Sequence, residues 1–250
     1  MNSFTKIKLA RKSLDGLSTN IQKFISEHGD LFDIKSDESL CENGDYLFFD
    51  ESKDHRLKYH SHELGDLYFD FEAELKYHRH QHYALSKEPL AKSLGLVGNK
   101  NRLIWDATCG TAKDALLINH FGGQVIGFER NPIVYLLLLS SKEKCPVNIE
   151  FLFGDSLRLE LDHLPKPDVI YYDPMFPEKN KKSALPRKEM QIFKSLLGPD
   201  TDSIKFLTWA KTKAIDRVVV KRPLKAEFVH PNPSASYEGK STRYDMYKIF

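Results

Sequence analysis

The sequence predicts an α/β protein: a mostly parallel, twisted sheet with helices on both faces, preceded by a small N-terminal α+β subdomain. Three observations carry that reading. From Arg102 onward, apolar runs of strand length alternate with helical runs, and strands separated by helices imply βαβ units with right-handed crossovers. The first of these strands breaks into a turn of small residues, Thr108-Cys109-Gly110-Thr111-Ala112, before an apolar helix. Four acidic residues, Asp106, Glu129, Asp155 and Asp173, stand where successive strands end. The boundary is drawn so that residues 1–85 form the N-terminal subdomain and residues 86–250 the sheet domain.

Up to residue 57 the chain is polar and mixed, with apolar pairs too short to give a period. A helix is expected over 21–28, with short strands after it. Residues 67–71 alternate as a strand, and 88–94 read as a helix stopped by Gly95, a suitable left-handed cap. Between them lies His78-Arg79-His80-Gln81-His82. On a strand its three histidines would share one face, yet no carboxylate or cysteine stands at ligand spacing, so a solvated or RNA-facing basic segment is preferred and no metal is expected.

In the sheet domain the expected order is strand 102–107, helix 113–121, strand 124–129, helix 132–143, and strands 148–153 and 168–173. Gly122-Gly123 closes the first helix, and Asn131 caps the second with Pro132 at its first position. Helices over 187–196 and 202–213 follow, then strands over 217–221 and 244–250.

Composition limits the alternatives. At 250 residues, 41% hydrophobic and 12% aromatic, the chain builds a core without staples. Cys41, Cys109 and Cys145 make neither an even disulfide set nor a metal spacing, and no apolar signal segment opens the chain, so a reducing, cytoplasmic setting is expected. The longest apolar run, 133–139, falls far short of the roughly 18 residues of a membrane helix. A net charge of +2 does not by itself announce a nucleic acid, so local clusters decide. Lys179, Lys181, Lys182, Arg187 and Lys188 form one such cluster just after Asp173, and Lys221-Arg222-Pro223 would extend it. A charge run is usually a solvated face, but this one adjoins the mouth of the expected pocket, where RNA phosphates need neutralising.

A strand, a glycine turn and a helix N-terminus make a nucleotide-type site, because the turn admits close backbone approach and leaves amide hydrogens exposed to a ligand. Dinucleotide sites use three glycines, with an acidic residue about 20 positions on. Here only Gly110 is glycine, while Glu129 follows Asp106 by 23 positions and is placed to accept both hydroxyls of a ribose. This favours an adenosine-type cofactor without a pyrophosphate, S-adenosylmethionine above all. Aspartates after strands commonly serve only as turn or helix caps. Four at successive strand ends favour a lined cleft, with Asp106 at the glycine turn or the cofactor amine and Asp155 with Ser156 at the adenine edge. Arg130 reads equally as a cofactor contact and as a surface residue in an ion pair.

Asp173-Pro174-Met175-Phe176 would carry the chemistry. The lone pair of an exocyclic base amine is delocalised into its ring, so an enzyme must orient the nitrogen and support charge as it develops. A carboxylate and the Pro174 carbonyl can accept hydrogen bonds from the amine for an in-line displacement. Proline stiffens the loop, and Phe176 offers a face for a flipped base. Asp-Pro is also an ordinary turn, and Phe176 could belong to the core.

The segments DATCGTAKDA (106–115), FERNP (128–132), YYDPMFP (171–177), KSALPRKEMQIFKSLLGPD (182–200), VVVKRP (218–223) and RYDMY (243–247) together resemble the RsmJ family of bacterial 16S rRNA guanine-N2 methyltransferases. The resemblance implies a Rossmann-like class I methyltransferase fold, S-adenosylmethionine as donor, and one guanosine of 16S rRNA, naked or in the small subunit, as substrate. It also implies cofactor contacts at Lys113, Asp114, Glu129, Arg130, Asp155, Ser156 and Asp173. The chain departs from the family's usual Thr-Ala-Gly-Leu-Gly-Arg-Asp turn, with Cys109, Ala112 and Lys113 in place of Ala, Gly and Arg, and lysine lacks the planar fork of arginine. It departs again at Tyr83-Ala84-Leu85-Ser86, where glycines are usual, and residues 1–60 match poorly, so no family role is carried onto them. Two rivals use the same loop chemistry or fold: methylation of adenine N6 or a glutamine amide, and an RNA-binding protein without turnover. Intact Asp173 and Glu129 speak against the second.

Overall fold

In the computed structural model, residues 6–36, 44–52, 54–175, 188–198 and 202–250 are described. In chain order the elements begin with β1 (Ile7–Ala10), α1 (Ser13–Gly16), α2 (Thr19–Glu27), β2 (Phe32–Lys35), β3 (Tyr46–Asp50), β4 (Arg56–Ser61), β5 (Gly65–Leu67), α3 (Phe71–His80) and α4 (Pro89–Leu94). Then come β6 (Leu103–Asp106), α5 (Lys113–His120), β7 (Gln124–Glu129), α6 (Pro132–Lys144), β8 (Ile149–Phe153) and β9 (Val169–Tyr172). The series ends with α7 (Lys188–Leu197), α8 (Ser203–Lys213), β10 (Arg217–Pro223), β11 (Ala235–Glu238) and β12 (Thr242–Lys248). These divide into two units that interleave along the chain: Met1–Asp70, Asn131–Pro146 and Lys179–Gly198 make the first, and Phe71–Arg130, Val147–Glu178 and Pro199–Phe250 the second.

The first unit holds a five-stranded sheet of order β2-β1-β3-β4-β5. β1 runs parallel to β2 and β3, while β3, β4 and β5 form an antiparallel meander. The crossover from β1 to β2 carries α2, which starts where the Ser18 hydroxyl accepts the Ile21 amide at 3.3 Å. Leu9, Leu47 and Leu57 are fully buried, and α6 packs on β4. Asn131 caps α6 by accepting the amides of Ile133 and Val134 at 2.9 and 3.1 Å. Two serines on this apolar helix reach the sheet's side of the unit: Ser140 accepts the Leu57 amide at 2.9 Å and Ser141 donates to the Phe69 carbonyl at 2.8 Å.

The second unit holds a seven-stranded sheet of order β11-β12-β10-β9-β6-β7-β8. β10, β9, β6, β7 and β8 are parallel, and β12 closes one side antiparallel to both β10 and β11. Every residue of β9 is buried, as a central parallel strand requires. Val218, Val219 and Val220 on β10 are fully buried, each contributing about 1.5–3 kcal/mol. Tyr172 stacks on Phe206 of α8 with ring centroids 3.8 Å apart, and Trp105 meets Phe128 edge-on at 5.4 Å. At the end of the sheet away from the acidic residues, Arg102, Arg217 and Lys248 converge on Asp216. Strand order reverses between β6 and β9. In open α/β sheets the crevice outside such a reversal is where ligands bind.

Four sequence expectations need correction. Residues 67–71 do not form one strand: β5 ends at Leu67 and α3 begins at Phe71, because Glu72 and Glu74 suit a first helical turn and His78, Arg79 and His80 a last one. The histidine segment is thus largely helical, with His78 buried, 2.8 Å from the Tyr83 hydroxyl and stacked on His120. β12 begins and ends two residues before the expected 244–250, and β11 had no counterpart in the sequence reading.

Candidate active site

The site in the second unit begins with the turn after β6. Gly110 has φ +54° and Ala112 φ +60°, so Ala112 holds a left-handed conformation at the position where the resembled motif has glycine. That conformation costs an L-residue about 1–2 kcal/mol. Hydrogen bonds over-determine the turn: Asp106 Oδ1 accepts the Thr108 amide at 3.2 Å, the Cys109 amide donates to the Phe128 carbonyl at 2.9 Å, and the Gly110 amide donates to Glu129 Oε2 at 3.0 Å. Gly127 on β7 makes the close approach possible, since a Cβ there would lie 2.7 Å from Cys109 Sγ. Glu129 is 5% exposed, and the turn's amide compensates its burial.

The β9 end lies across the reversal point. The Asp173 amide donates to Thr108 Oγ1 at 2.8 Å, and the Ala107 amide donates to the Tyr171 carbonyl at 2.9 Å, so the two strand ends are tied to each other. Lys221 of β10 places its Nζ 2.7 Å from Asp114 Oδ2 and 2.9 Å from Asp173 Oδ2. The Tyr171 hydroxyl donates to the same Asp114 oxygen at 2.6 Å. Burial by itself would lower the Lys221 pKa, but the carboxylates of Asp114 and Asp173 overcome it and hold the ammonium above the ordinary lysine range. Burial, then Asp114 and Asp173, push the Asp106 carboxyl well above the usual carboxylate range. Burial and Asp114 push the Tyr244 phenol up to about 12. Burial raises the Cys109 thiol as well, so it is no activated nucleophile.

A family model described as "Putative SAM-dependent methyltransferase" matches residues 36–249. The ribosomal RNA small subunit methyltransferase J of Bdellovibrio bacteriovorus is 40% identical over 190 residues, covering 73% of this chain and 74% of that protein. The Coxiella burnetii protein of the same name is 38% identical over 196 residues, covering 74% and 76%. The chain belongs to the RsmJ family. A crystal structure of a SAM-dependent methyltransferase from Neisseria gonorrhoeae, 25% identical, superposes with a TM-score of 0.71 over 98% of this chain and 96% of that one. RsmJ proteins are S-adenosylmethionine-dependent methyltransferases, and the class I fold expected from the sequence is the fold found.

The residues present fit that cofactor. The turn after β6 holds a single glycine, Gly110, where a pyrophosphate site would need three, and the buried Glu129 carboxylate ends β7 beside it. Within this RsmJ unit the structure brings together Asp106, Gly110, Asp114, Glu129 and Asp173 through the turn and the Lys221 ion pairs. Lys113 is exposed, 3.9 Å from Glu74, and Arg130 is exposed at the end of β7. Asp155 accepts the Leu157 amide at 3.0 Å and meets Arg158 at 3.3 Å, with Ser156 buried next to it. Pro174 is buried. Phe176, Lys179, Lys181, Lys182 and Arg187 lie outside the described residues, and Lys188 is exposed at the start of α7 in the first unit. Among the described residues no cluster of His, Cys, Asp and Glu is arranged for a metal, and no helix is long and apolar enough to cross a membrane.

Sequence reasoning assigned Lys221 to a phosphate patch and overlooked Tyr171 and Tyr244. A lysine directly after three consecutive valines was the available signal. Its partners depend on the order β10-β9-β6, which no local pattern displays.

Proposed function

We propose that this chain transfers a methyl group from S-adenosylmethionine to the exocyclic N2 amine of a guanosine in 16S rRNA, acting on the RNA or the small ribosomal subunit in the cytoplasm. Asp173 carries the reading: a carboxylate at the end of β9, at the point where strand order reverses, with its amide on Thr108 and its Oδ2 on Lys221. The cofactor supplies an electrophilic methyl. Asp173 and the Pro174 carbonyl would accept hydrogen bonds from the amine, turning its lone pair toward that methyl and supporting the positive charge that develops; as the N–C bond forms the S–C bond breaks to release S-adenosylhomocysteine, and the surplus amine proton is lost to solvent. Phe176 stacks the extruded base. Glu129 accepts the ribose hydroxyls, Asp155 and Ser156 meet the adenine edge, and Asp106, Gly110, Lys113, Asp114 and Arg130 line the rest of the donor site. Lys179, Lys181, Lys182, Arg187 and Lys188 neutralise RNA phosphates. Residues 1–85 serve the RNA substrate and residues 86–250 the methyl transfer. The names of the relatives, ribosomal RNA small subunit methyltransferases, support small-subunit rRNA, and the motifs shared with the family support guanine N2.

Incubation with labelled S-adenosylmethionine and undermethylated small subunits or rRNA, followed by nucleoside analysis, tests this directly. N2-methylguanosine is the expected product. N6-methyladenosine, or label in protein, would favour the rival amines. Asp173→Ala should cut the single-turnover rate severely and Asp173→Asn by about 10²-fold or more, while RNA affinity barely changes.

A further inference from the structure

We infer that Lys221 is a positioning residue for methyl transfer: bridging Asp114 and Asp173, it keeps the Asp173 carboxylate charged and in place to receive the substrate amine. The inference rests on the proposed role of Asp173. Strand register puts the lysine there. Val220 of β10 pairs with Tyr172 of β9, so Lys221 and Asp173 are the next residues along two adjacent parallel strands. On its other side Lys221 pairs with Tyr244 of β12. The groups around the ammonium are therefore Asp114 from α5, Asp173 and Tyr171 from the β9 end, Tyr244 from β12, and Asp106 from β6.

Without Lys221 this corner would hold the carboxylates of Asp106, Asp114 and Asp173 with no cation among the groups just named. Like charges at such range drive protonation, which would turn Asp173 from an acceptor of amine hydrogens into a donor. Lys221 opposes this, and the Tyr171 hydroxyl on Asp114 Oδ2 fixes the other end of the bridge. The contrast with Asp216 is instructive. That carboxylate is surrounded by Arg102, Arg217 and Lys248 at the opposite end of the sheet. At the β9 end the ratio is reversed: among the described ion pairs, Lys221 serves both Asp114 and Asp173.

The test is a pH profile of the single-turnover rate for the full chain, with saturating S-adenosylmethionine and undermethylated subunits. Lys221→Met should lower the rate near neutrality by about 10- to 100-fold. Its acidic limb should move upward by about one pH unit or more, because removing a cation raises a carboxylate pKa, with partial recovery at high pH. Lys221→Arg, which keeps the charge, should leave the limb near its wild-type position. In an Asp173→Asn background, Lys221→Met should change the rate less than about threefold, since the lysine acts through that carboxylate. An unmoved limb, or an equal loss in the Asp173→Asn background, would make Lys221 merely structural and overturn the inference. If Asp173→Asn itself is fully active, the proposed role of Asp173 falls. If Asp173→Asn is slow and Lys221→Met is neutral, only the present inference falls. Should circular dichroism show Lys221→Met unfolded, Lys221→Gln provides the same limb test with a hydrogen-bond donor retained.

Discussion

Gly127→Ala tests whether the cofactor turn depends on a missing side chain. The added methyl would sit 2.7 Å from Cys109 Sγ and 3.2 Å from both Cys109 Cβ and Phe151 Cδ1. Comfortable contacts lie near 3.5–4.0 Å, so the turn and β7 must separate by about 1 Å. Overpacking of this kind costs about 1–3 kcal/mol, and the reduced freedom of the unfolded chain returns about 0.4–1 kcal/mol. A net loss of about 1–2 kcal/mol is expected, or roughly 2–8 °C in Tm for a chain of this size. The turn also holds the Gly110 amide 3.0 Å from Glu129 Oε2, a distance that a 1 Å shift would spoil. S-adenosylmethionine affinity should therefore fall by about tenfold or more, on the scale of a hydrogen bond to a charged group. Differential scanning calorimetry and isothermal titration would read the two effects separately. Cys109→Ala in the same chain removes the sulfur and should restore most of both. Wild-type Tm and affinity in Gly127→Ala, or a loss that Cys109→Ala does not relieve, would refute the close-approach reasoning.

Glu129→Ala should weaken S-adenosylmethionine binding by about 1.5–3 kcal/mol in calorimetry, with NAD failing to bind either protein. Unchanged affinity would remove Glu129 from the site. Asp106 has a raised folded-state pKa, so its ionisation destabilises the fold progressively as pH climbs above the ordinary carboxylate value. Asp106→Asn should thus gain in Tm over wild type as pH rises above the ordinary carboxylate range, and a difference that does not change with pH would contradict a raised Asp106 pKa. Neutralising Lys179, Lys181, Lys182 and Arg187 should weaken RNA binding and flatten its salt dependence while sparing cofactor affinity. An unaltered salt slope would return the cluster to a solvated face.

The second unit was largely legible because its strands are buried on both faces and announce themselves as apolar runs. β7 was read as 124–129 and is Gln124–Glu129. In the first unit the helices were legible, since α2, α6 and α7 lie within two residues of 21–28, 132–143 and 187–196, but the sheet was not, because its strands are three to six residues long and β1 finds its partners only through pairings with β2 and β3. The 67–71 error has a local cause: Leu67-Tyr68-Phe69-Asp70-Phe71 alternates convincingly, but Phe71 is the buried anchor of α3 rather than the end of a strand. At the site, strand ends were visible and strand neighbours were not. The acidic positions were named from the sequence, whereas the Lys221 bridge required knowing that β10 lies beside β9.

Interleaving of the two units has a consequence for biosynthesis. All five strands of the first sheet have been synthesised once Leu67 is added, yet α6, which covers β4, ends at Lys144, and α7, which packs near β5, ends at Leu197. At about 5–20 residues per second the nascent sheet waits on the order of ten seconds for its last cover. During that interval the sheet that carries Leu57, Tyr59 and Leu67, all buried in the finished protein, lacks part of its cover. A stall or truncation anywhere before α7 therefore releases a chain with its first sheet incompletely covered, however complete that sheet's strands already are.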